Sequence, residues 1–202
     1  MRLNFEMMTA RDRYKILTST VVPRPIAWVT TTSSVGQLNA APFSFFNVMS
    51  KEPPLLAIGI QANDDGSMKD TGRNILETGE FVVNLVSQSL ADAMNVTSAH
   101  LPPDVNELER ADLESCPSIR VRPPRIRRSP VSLECRLHSK IEVSTNHLIV
   151  IGEILEAHID DDAILDPARL YVDTSKLELI GRMEGRDRYV STRDTFQIER
   201  PS

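Results

Sequence analysis

The chain has 202 residues, of which 41% are hydrophobic and 25% charged, values that suit one globular domain with a real core. Its formal net charge is −5 and its pI is about 5.4, which argues against a nucleic-acid or anionic-membrane surface because such surfaces need a basic face. No apolar run is long enough to cross a bilayer, and the N-terminal segment lacks the apolar core of a secretory signal.

The cysteine and histidine content indicates a reducing compartment and no metal. Cys116 and Cys135 are the two cysteines, they form no C-x-x-C motif, and we expect both to be free thiols. The four histidines show no metal-ligand spacing. We therefore expect a cytoplasmic protein without a metal centre.

Two strands joined by a turn are predicted between residues 22 and 47. The first alternates around Trp28, and Val35-Gly36 then turns the chain. The second, over residues 39–47, mixes phenylalanines with small residues, hydroxyls and amides. A strand that only filled a core would not need so many hydrogen-bonding groups. A strand that lies along a flat heteroaromatic ligand would bind the ligand's polar edge through these groups and pack its phenylalanine rings against the ligand's face.

A predicted helix follows, between apolar strands at residues 55–61 and 81–86. A Ser-x-x-Asp capping pattern at residues 67–70 begins it and Gly79 ends it. Free N–H groups and the positive dipole end would make Lys69, Asp70 and Thr71 attractive to an anion such as a phosphate monoester. The alternative is that Asp70 and Thr71 only cap the helix and Lys69 is a solvated charge. Gly72, in the first turn, leaves a spot where a ligand could come close.

The rest of the chain is predicted to be mainly strand. In chain order the elements are a helix from a capping box at 89–92 to about Thr97, a possible helix at 104–113, a long hairpin of residues 131–143 and 148–159 turning at Thr145-Asn146, and a short strand at 177–180. Short, mostly antiparallel strands with few helices predict a mainly β barrel or sandwich.

Three further side chains are candidates for ligand contact. Arg24, between two prolines, and Trp28 could line a pocket for an anionic aromatic ligand. The alternative is that Trp28 belongs to the core and Arg24 to the surface. His147, at the hairpin tip, matters only if the tip folds over a ligand of the same or a neighbouring subunit. No acid–base pair or nucleophile is evident, so we predict no catalytic residue beyond a possible role for His147.

Six motifs occur in an order that resembles a known family. They are PRPIAWVTT, NAAPFSFFN, KDTGRNI, GEFVVNLVS, SPVSLEC and HLIVIGEI, followed by a tail motif, LIGRMEGRDRY. The chain resembles the flavin reductase-like FMN-binding split barrel family, which includes flavoredoxin and the reductase components of two-component flavin monooxygenases. The resemblance covers roughly residues 19–157, so we expect a single domain over residues 1–202 with a C-terminal extension from 158.

The resemblance implies a Greek-key antiparallel β-barrel with flanking helices, assembled as a homodimer with FMN near the interface. It implies that the flavin pocket is lined by Trp28, Thr30 and Thr31. The isoalloxazine edge or the ribityl chain would be contacted by Asn39, Ala41, Pro42, Ser44 and Asn47, with Phe45 or Phe46 packing nearby. The phosphate end would be held by Lys69, Asp70, Thr71 and Asn74, and His147 would reach the flavin or nicotinamide.

The implied activity is NAD(P)H-dependent flavin reduction. Hydride would pass from NAD(P)H to flavin N5, a step that needs positioning at about 3–3.5 Å and no protein acid or base. Reduced FMN would then leave for a partner oxygenase or pass electrons onward. Three alternatives stay open: an FMN-bound electron carrier without an NAD(P)H site, an oxidase of the pyridoxamine-phosphate type, and a ligand-free β-barrel interaction module.

Overall fold

Strands dominate the computed structural model, which describes residues 1–102, 105–185 and 187–201. The helices are α1 Ala10–Thr20, α2 Asp70–Thr78, α3 Ala91–Val96 and α4 Glu107–Arg110. The strands are β1 Arg24–Pro25, β2 Ala27–Thr32, β3 Leu38–Phe43, β4 Phe46–Lys51, β5 Pro54–Ile60, β6 Glu80–Leu85, β7 Ser115–Cys116, β8 Arg125–Ile126, β9 Val131–Ser144, β10 His147–Ile159, β11 Ile164–Asp166, β12 Tyr171–Val172, β13 Ile180–Arg182 and β14 Tyr189–Ser191. Short 3₁₀ turns lie at Phe5–Met7, Gln88–Leu90 and Asp161–Ala163.

The main sheet curls into a split barrel. Its strand order is β3-β2-β6-β9-β10-β5-β4, and all neighbours are antiparallel. β3 and β4 lie at opposite edges, yet only Ser44 and Phe45 separate them in the chain. The edges must therefore approach each other. The N–H of Gly59 donates to the carbonyl of Phe45 at 2.7 Å, which continues the β4–β5 pairing into this connection. The mainly β split-barrel fold expected from the sequence is confirmed.

The barrel core follows from strand alternation. Leu56, Ile58 and Ile60 alternate along β5 and are buried with Phe81 of β6. The packing is tight at β10, because a Cβ added to Gly152 would lie 2.3 Å from Cζ of Phe81. A glycine is therefore required where this strand crosses the phenylalanine.

A second cluster lies on the other face of β2, under α3 and α4. Trp28 is fully buried there with Leu90, Met94, Leu108 and Ile126. Because side chains alternate along a strand, Ala27 and Val29 point into the barrel while Trp28 points away from it.

Several predicted elements are confirmed by the structure. The long hairpin turns at Thr145-Asn146, where Asn146 has φ +60°. Gly79 ends α2 in the left-handed region, with φ +72°. Gly36 turns the chain between β2 and β3 with φ +90°. Cys116 and Cys135 are free thiols, and Cys135 belongs to the core.

The predicted strand over residues 39–47 is wrong as one element. It breaks at Ser44 and Phe45 into β3 and β4, because the chain crosses there from one barrel edge to the other. The predicted tail strand at 177–180 begins instead at Ile180. The predicted helix at 104–113 is limited to α4, and its first residue, Asp104, lies outside the described residues.

Both predicted capping boxes are also wrong. α2 and α3 begin after Lys69 and Leu90, and neither has a side-chain cap. The hydroxyl of Ser67 instead donates to Asp65 at 2.6 Å, and that of Ser89 bonds Ser87 at 3.0 Å. Local turns compete with helix caps for the same short hydroxyls.

The C-terminal residues return to the beginning of the barrel. β13 pairs with β1, and β14 extends this three-stranded sheet. An isolated bridge joins Leu179 to Ser87. Within the described ranges, none of the helices combines the length and apolar character required to span a membrane.

Candidate functional site

Three adjoining cavities form a groove where β3 ends. Pro42 and Phe43 line all three. The first cavity, about 140 Å³, lies against the beginning of α2 at Lys69. The second, about 220 Å³, lies beside Phe45, and the third, about 340 Å³, extends to Arg182 of β13. We call the three cavities together the β3 groove.

The α2 end of the β3 groove carries a cation and free backbone donors. Lys69 precedes α2, lines the first two cavities and donates to Oδ1 of Asn63 at 3.1 Å. Asp70 is paired with Arg73 at 2.6 Å, which offsets its negative charge. The N–H groups of the first helical turn have no partner within the helix, so this end suits an anionic group.

A buried hydrogen-bond network fixes the wall of the first cavity. Thr31 Oγ1 accepts from the amides of Asn39 at 3.2 Å and Asn74 at 3.0 Å. The Asn39 amide also donates to Oγ1 of Thr71 at 2.9 Å. The network therefore joins β2, β3 and α2. Asn39 and Thr71 line the cavity, whereas Thr31 and Asn74 lie behind its wall and hold it in place.

Trp28 and Thr30 do not reach the β3 groove, contrary to the sequence-based expectation. Trp28 is 0% exposed, and its indole N–H donates to Oγ1 of Thr97 at 2.9 Å. Thr30 donates to the carbonyl of Pro124 at 2.6 Å. Both side chains point to the outer face of β2, which α3 and the following loop cover. Trp28 adjoins the groove through Thr97, which lines the first cavity, and through its cross-strand partner Pro42.

Arg24 is buried and lies beside the groove. It is 6% exposed and lines a cavity of about 290 Å³ with Ser44, Phe45, Phe46 and Asn47. Its Nη1 donates to the carbonyls of Thr18 at 2.6 Å and Val21 at 3.0 Å, at the end of α1. Burial lowers the pKa of Arg24, and the nearby charge of Arg182 adds to this effect. The alternative that Arg24 is a surface group is therefore wrong.

The structure places two other candidate positions outside the cavities of the β3 groove. His147 lies at the hairpin tip, where its Nδ1 bonds Ser144 Oγ at 2.7 Å, and it does not line the β3 groove. The adjacent Asn146 donates to the carbonyl of Gly66 at 2.8 Å, so the tip rests on the loop before α2. A Cβ at Gly72 would meet Met68 at 3.3 Å, which places this glycine against packed side chains and not against a ligand.

Sequence reasoning missed a buried carboxyl in the first cavity. Glu107 of α4 is 8% exposed, and its Oε2 accepts from the N–H of Ala40 at 3.1 Å. Burial raises the pKa of the Glu107 carboxyl, and the nearby charge of Asp70 raises it further. No local signal could have found it, because α4 meets β3 only in the folded chain.

Aromatic and cationic groups on distant segments were missed for the same reason. Tyr14 of α1 lines the second and third cavities, with its ring centroid 6.2 Å from that of Phe45. Arg182 and Tyr189 of the small sheet line the third cavity. The fold and this site define a class of protein: a split barrel whose groove carries a cation at each end.

The comparisons with known proteins agree with that class. A family model described as the flavin reductase like domain matches residues 18–178. The chain therefore belongs to the flavin reductase-like domain family. An uncharacterized protein of Deinococcus radiodurans is 43% identical over 192 residues, covering 93% of this chain and 84% of that protein.

Three solved structures are similar over nearly the full length. Nitrilotriacetate monooxygenase component B from Bacillus cereus is 32% identical with a TM-score of 0.90, covering 98% of each chain. The 2-nitrobenzoate 2-nitroreductase NbaA of Pseudomonas fluorescens is 33% identical with a TM-score of 0.90, covering 100% of this chain and 97% of that one. Flavoredoxin of Desulfovibrio vulgaris, 18% identical with a TM-score of 0.78 and covering 98% of this chain and 97% of that one, shares the fold.

Proposed function

We propose that the protein binds FMN in the β3 groove and acts as an NAD(P)H-dependent flavin reductase. The observation that carries this proposal is the groove itself, with Lys69 and the first turn of α2 at one end and the Pro42–Phe43 wall along its length. We further propose that the protein works in the cytoplasm as a homodimer with the flavin near the interface.

The residues present fit FMN. The first cavity is the smallest of the three and offers Lys69, the hydroxyl of Thr71 and helix N–H groups, a donor set that suits a phosphate monoester. The second cavity borders Pro42, Phe43 and Phe45, whose apolar surfaces suit a flat ring system. Asn39 would meet the ribityl chain between these ends.

FMN, when bound, supplies the chemistry of hydride acceptance and release. The chain's own residues bind and orient the reactants. Lys69 and Thr71 would anchor the phosphate, and the network through Thr31 would keep Thr71 in place. Tyr14 and Phe45 would limit water at the second cavity. Positioning of this kind is what hydride transfer requires.

The electron acceptor is proposed from the relatives. One similar structure is named as the component B of a monooxygenase and another as a nitroreductase. We propose that reduced flavin serves a partner oxygenase or a small-molecule acceptor. The third cavity, about 340 Å³ beyond the proposed ring position, has room for such a second reactant.

Anaerobic reduction tests the proposed function. The protein is purified, reconstituted with FMN and mixed with NADH or NADPH without oxygen. Bleaching of the yellow colour by either nucleotide supports the reductase. A yellow protein that stays oxidised with both nucleotides supports the electron carrier. Oxidation of pyridoxamine phosphate, added in place of the nucleotide, supports the oxidase. A colourless protein that does not bind FMN supports the interaction module.

A further inference from the structure

Two arginines face each other across the small sheet beside the β3 groove. Arg24 of β1 and Arg182 of β13 are cross-strand partners, and Tyr189 of β14 is the next partner in the same row. Directly opposed residues of antiparallel strands point to the same face. Like charges in this position destabilise a sheet unless something compensates them.

No carboxylate of the described residues compensates these two cations. Neither Arg24 nor Arg182 lies within 4.0 Å of an Asp or Glu oxygen in the parts of the chain that the structure describes. Asp187 lines the third cavity with Arg182 but lies beyond that distance of both guanidinium groups. Arg182 therefore presents positive charge to the third cavity, and Arg24, which lines the neighbouring cavity of about 290 Å³, lies directly beside it.

Both guanidinium groups are held in place by other residues. Arg182 donates to the hydroxyl of Tyr189 and lies 4.7 Å from the centroid of that ring. Arg24 is 6% exposed, and its Nε lies 3.5 Å from Oγ of Ser44, which lines the third cavity. Arg24 also donates to the carbonyls of Thr18 and Val21, so Arg182 is the guanidinium of the pair that is available to a ligand. A guanidinium that is fixed in place and has no carboxylate partner is a usual partner of carboxylate and phosphate oxygens.

We propose that Arg182, with the charge of Arg24 beside it, forms an oxyanion subsite for the molecule that exchanges electrons with the flavin. The subsite borders the third cavity, whereas Lys69 borders the first two, and Pro42 and Phe43 lie between them. Its ligand carries a carboxylate or a phosphate, which an aromatic acid or a nicotinamide dinucleotide could supply. The identity of that ligand as a co-substrate rests on the proposed function; the anion subsite itself does not.

The test compares Arg182→Gln and Arg182→Lys with a matched control, Arg169→Gln. Arg169 also donates to a tyrosine hydroxyl, that of Tyr171 at 2.8 Å, and lies 4.5 Å from its ring centroid, but it borders none of the groove cavities. Benzoate, NAD⁺ and NADP⁺ are titrated by calorimetry into the FMN-free and the FMN-reconstituted protein at low salt. Thermal melts check that each variant is folded.

We expect Arg182→Gln to raise the Kd of at least one probe about tenfold or more, because a charge-assisted contact is lost. Arg182→Lys should recover part of that loss, and Arg169→Gln should have no effect. Benzoate binding would identify the ligand group as a carboxylate. Binding of NAD⁺ and NADP⁺ without benzoate would identify it as a nucleotide phosphate.

Three results would overturn the subsite. One is that the wild type binds none of the probes, and another is that Arg182→Gln binds them as tightly as the wild type. The third is that Arg182→Gln weakens FMN binding as much as probe binding, which would place the flavin at the arginine end. Failure of the wild type to bind FMN, with probe binding intact and lost in Arg182→Gln, would refute the proposed function and leave the subsite standing.

Discussion

Lys69 determines the charge at the α2 end of the β3 groove. Lys69→Ala should raise the Kd of FMN about tenfold or more, because the phosphate loses a charge-assisted donor. The fold should remain intact, since the Lys69 side chain makes one hydrogen bond, to Asn63. A flavin-fluorescence titration measures the effect. Lys140→Ala is the control, because Lys140 pairs with Glu142 on the long hairpin. Equal Kd values of FMN for Lys69→Ala and the wild type would show that Lys69 does not bind the phosphate.

Glu107 places an acid beside the proposed phosphate position. Burial raises the pKa of this carboxyl, so folding favours its neutral form. The stability that the neutral form contributes is lost as the pH rises through the folded-state pKa. In its ionised form the Glu107 carboxylate should repel a phosphate. Glu107→Gln keeps an acceptor for the Ala40 N–H and should lower the Kd of FMN several-fold at a pH where the wild-type carboxyl is ionised.

The pH dependence distinguishes charge from shape at Glu107. The advantage of Glu107→Gln should shrink as the pH falls and the wild-type carboxyl takes up a proton. Titrations across that range, corrected for the protonation of free FMN, provide the measurement. If the two proteins bind FMN with the same Kd at every pH, Glu107 does not sense the phosphate.

At the scale of elements, one threonine joins α2 to the sheet. Thr31→Val keeps the shape of the side chain and removes the oxygen that accepts from both Asn39 and Asn74. Two buried amide donors then lose a partner, which should lower the free energy of unfolding by about 1–3 kcal/mol. Urea unfolding measures this loss, and Thr20→Val at an exposed helical position serves as the control. A loss of unfolding free energy no larger than that of Thr20→Val would show that the Thr31 network does not stabilise the fold.

Trp28 anchors β2 to α3. Trp28→Ala should lower the free energy of unfolding by about 3–5 kcal/mol, because a fully buried ring and its bond to Thr97 are lost. The stabilisation that FMN adds should be largely kept, because the indole does not line the groove. Thermal melts with and without FMN separate the two effects. If Trp28→Ala abolishes the rise in melting temperature that FMN produces and hardly changes the melting temperature without FMN, Trp28 belongs to the ligand site.

At the scale of the whole molecule, a buried carboxylate ties a distant loop to the barrel. Glu134 of β9 is fully buried and accepts from the N–H groups of Ile119 at 2.9 Å and Arg120 at 2.6 Å, and from His158 at 2.6 Å. Burial alone would raise the pKa of Glu134, but the two N–H donors and His158 outweigh it, so the pKa is lowered.

The lowered pKa of Glu134 predicts an acid-sensitive fold. Its contribution to stability is complete above the unfolded-state value of about 4.3 and is lost as the pH falls through the lower folded-state pKa. Glu134→Gln should lower the free energy of unfolding by about 1–3 kcal/mol at neutral pH and flatten its decrease in acid. Urea unfolding from neutral pH to below pH 4 measures both. A variant with the wild-type acid slope would show that another group controls it.

Local patterns were sufficient for most elements and for part of the groove. The strand β5, the turn at Gly36 and the end of α2 at Gly79 depend on neighbours in the chain, and each was predicted. Lys69 and Asn39 were found because a helix beginning and a polar strand are visible locally. The break at Ser44 was not, since closure of the barrel imposes it.

The sequence by itself determined most strands of the main sheet, the helix that ends at Gly79, the family-like motifs and the groove wall from Asn39 to Ser44, because these follow from side-chain periodicity and short-range backbone preference. Only the tertiary structure decided that Trp28 faces away from the groove and that Glu107 and Arg182 border it. The physical reason is distance along the chain: which segments cover a strand face depends on the global packing of apolar surface, which no local pattern encodes.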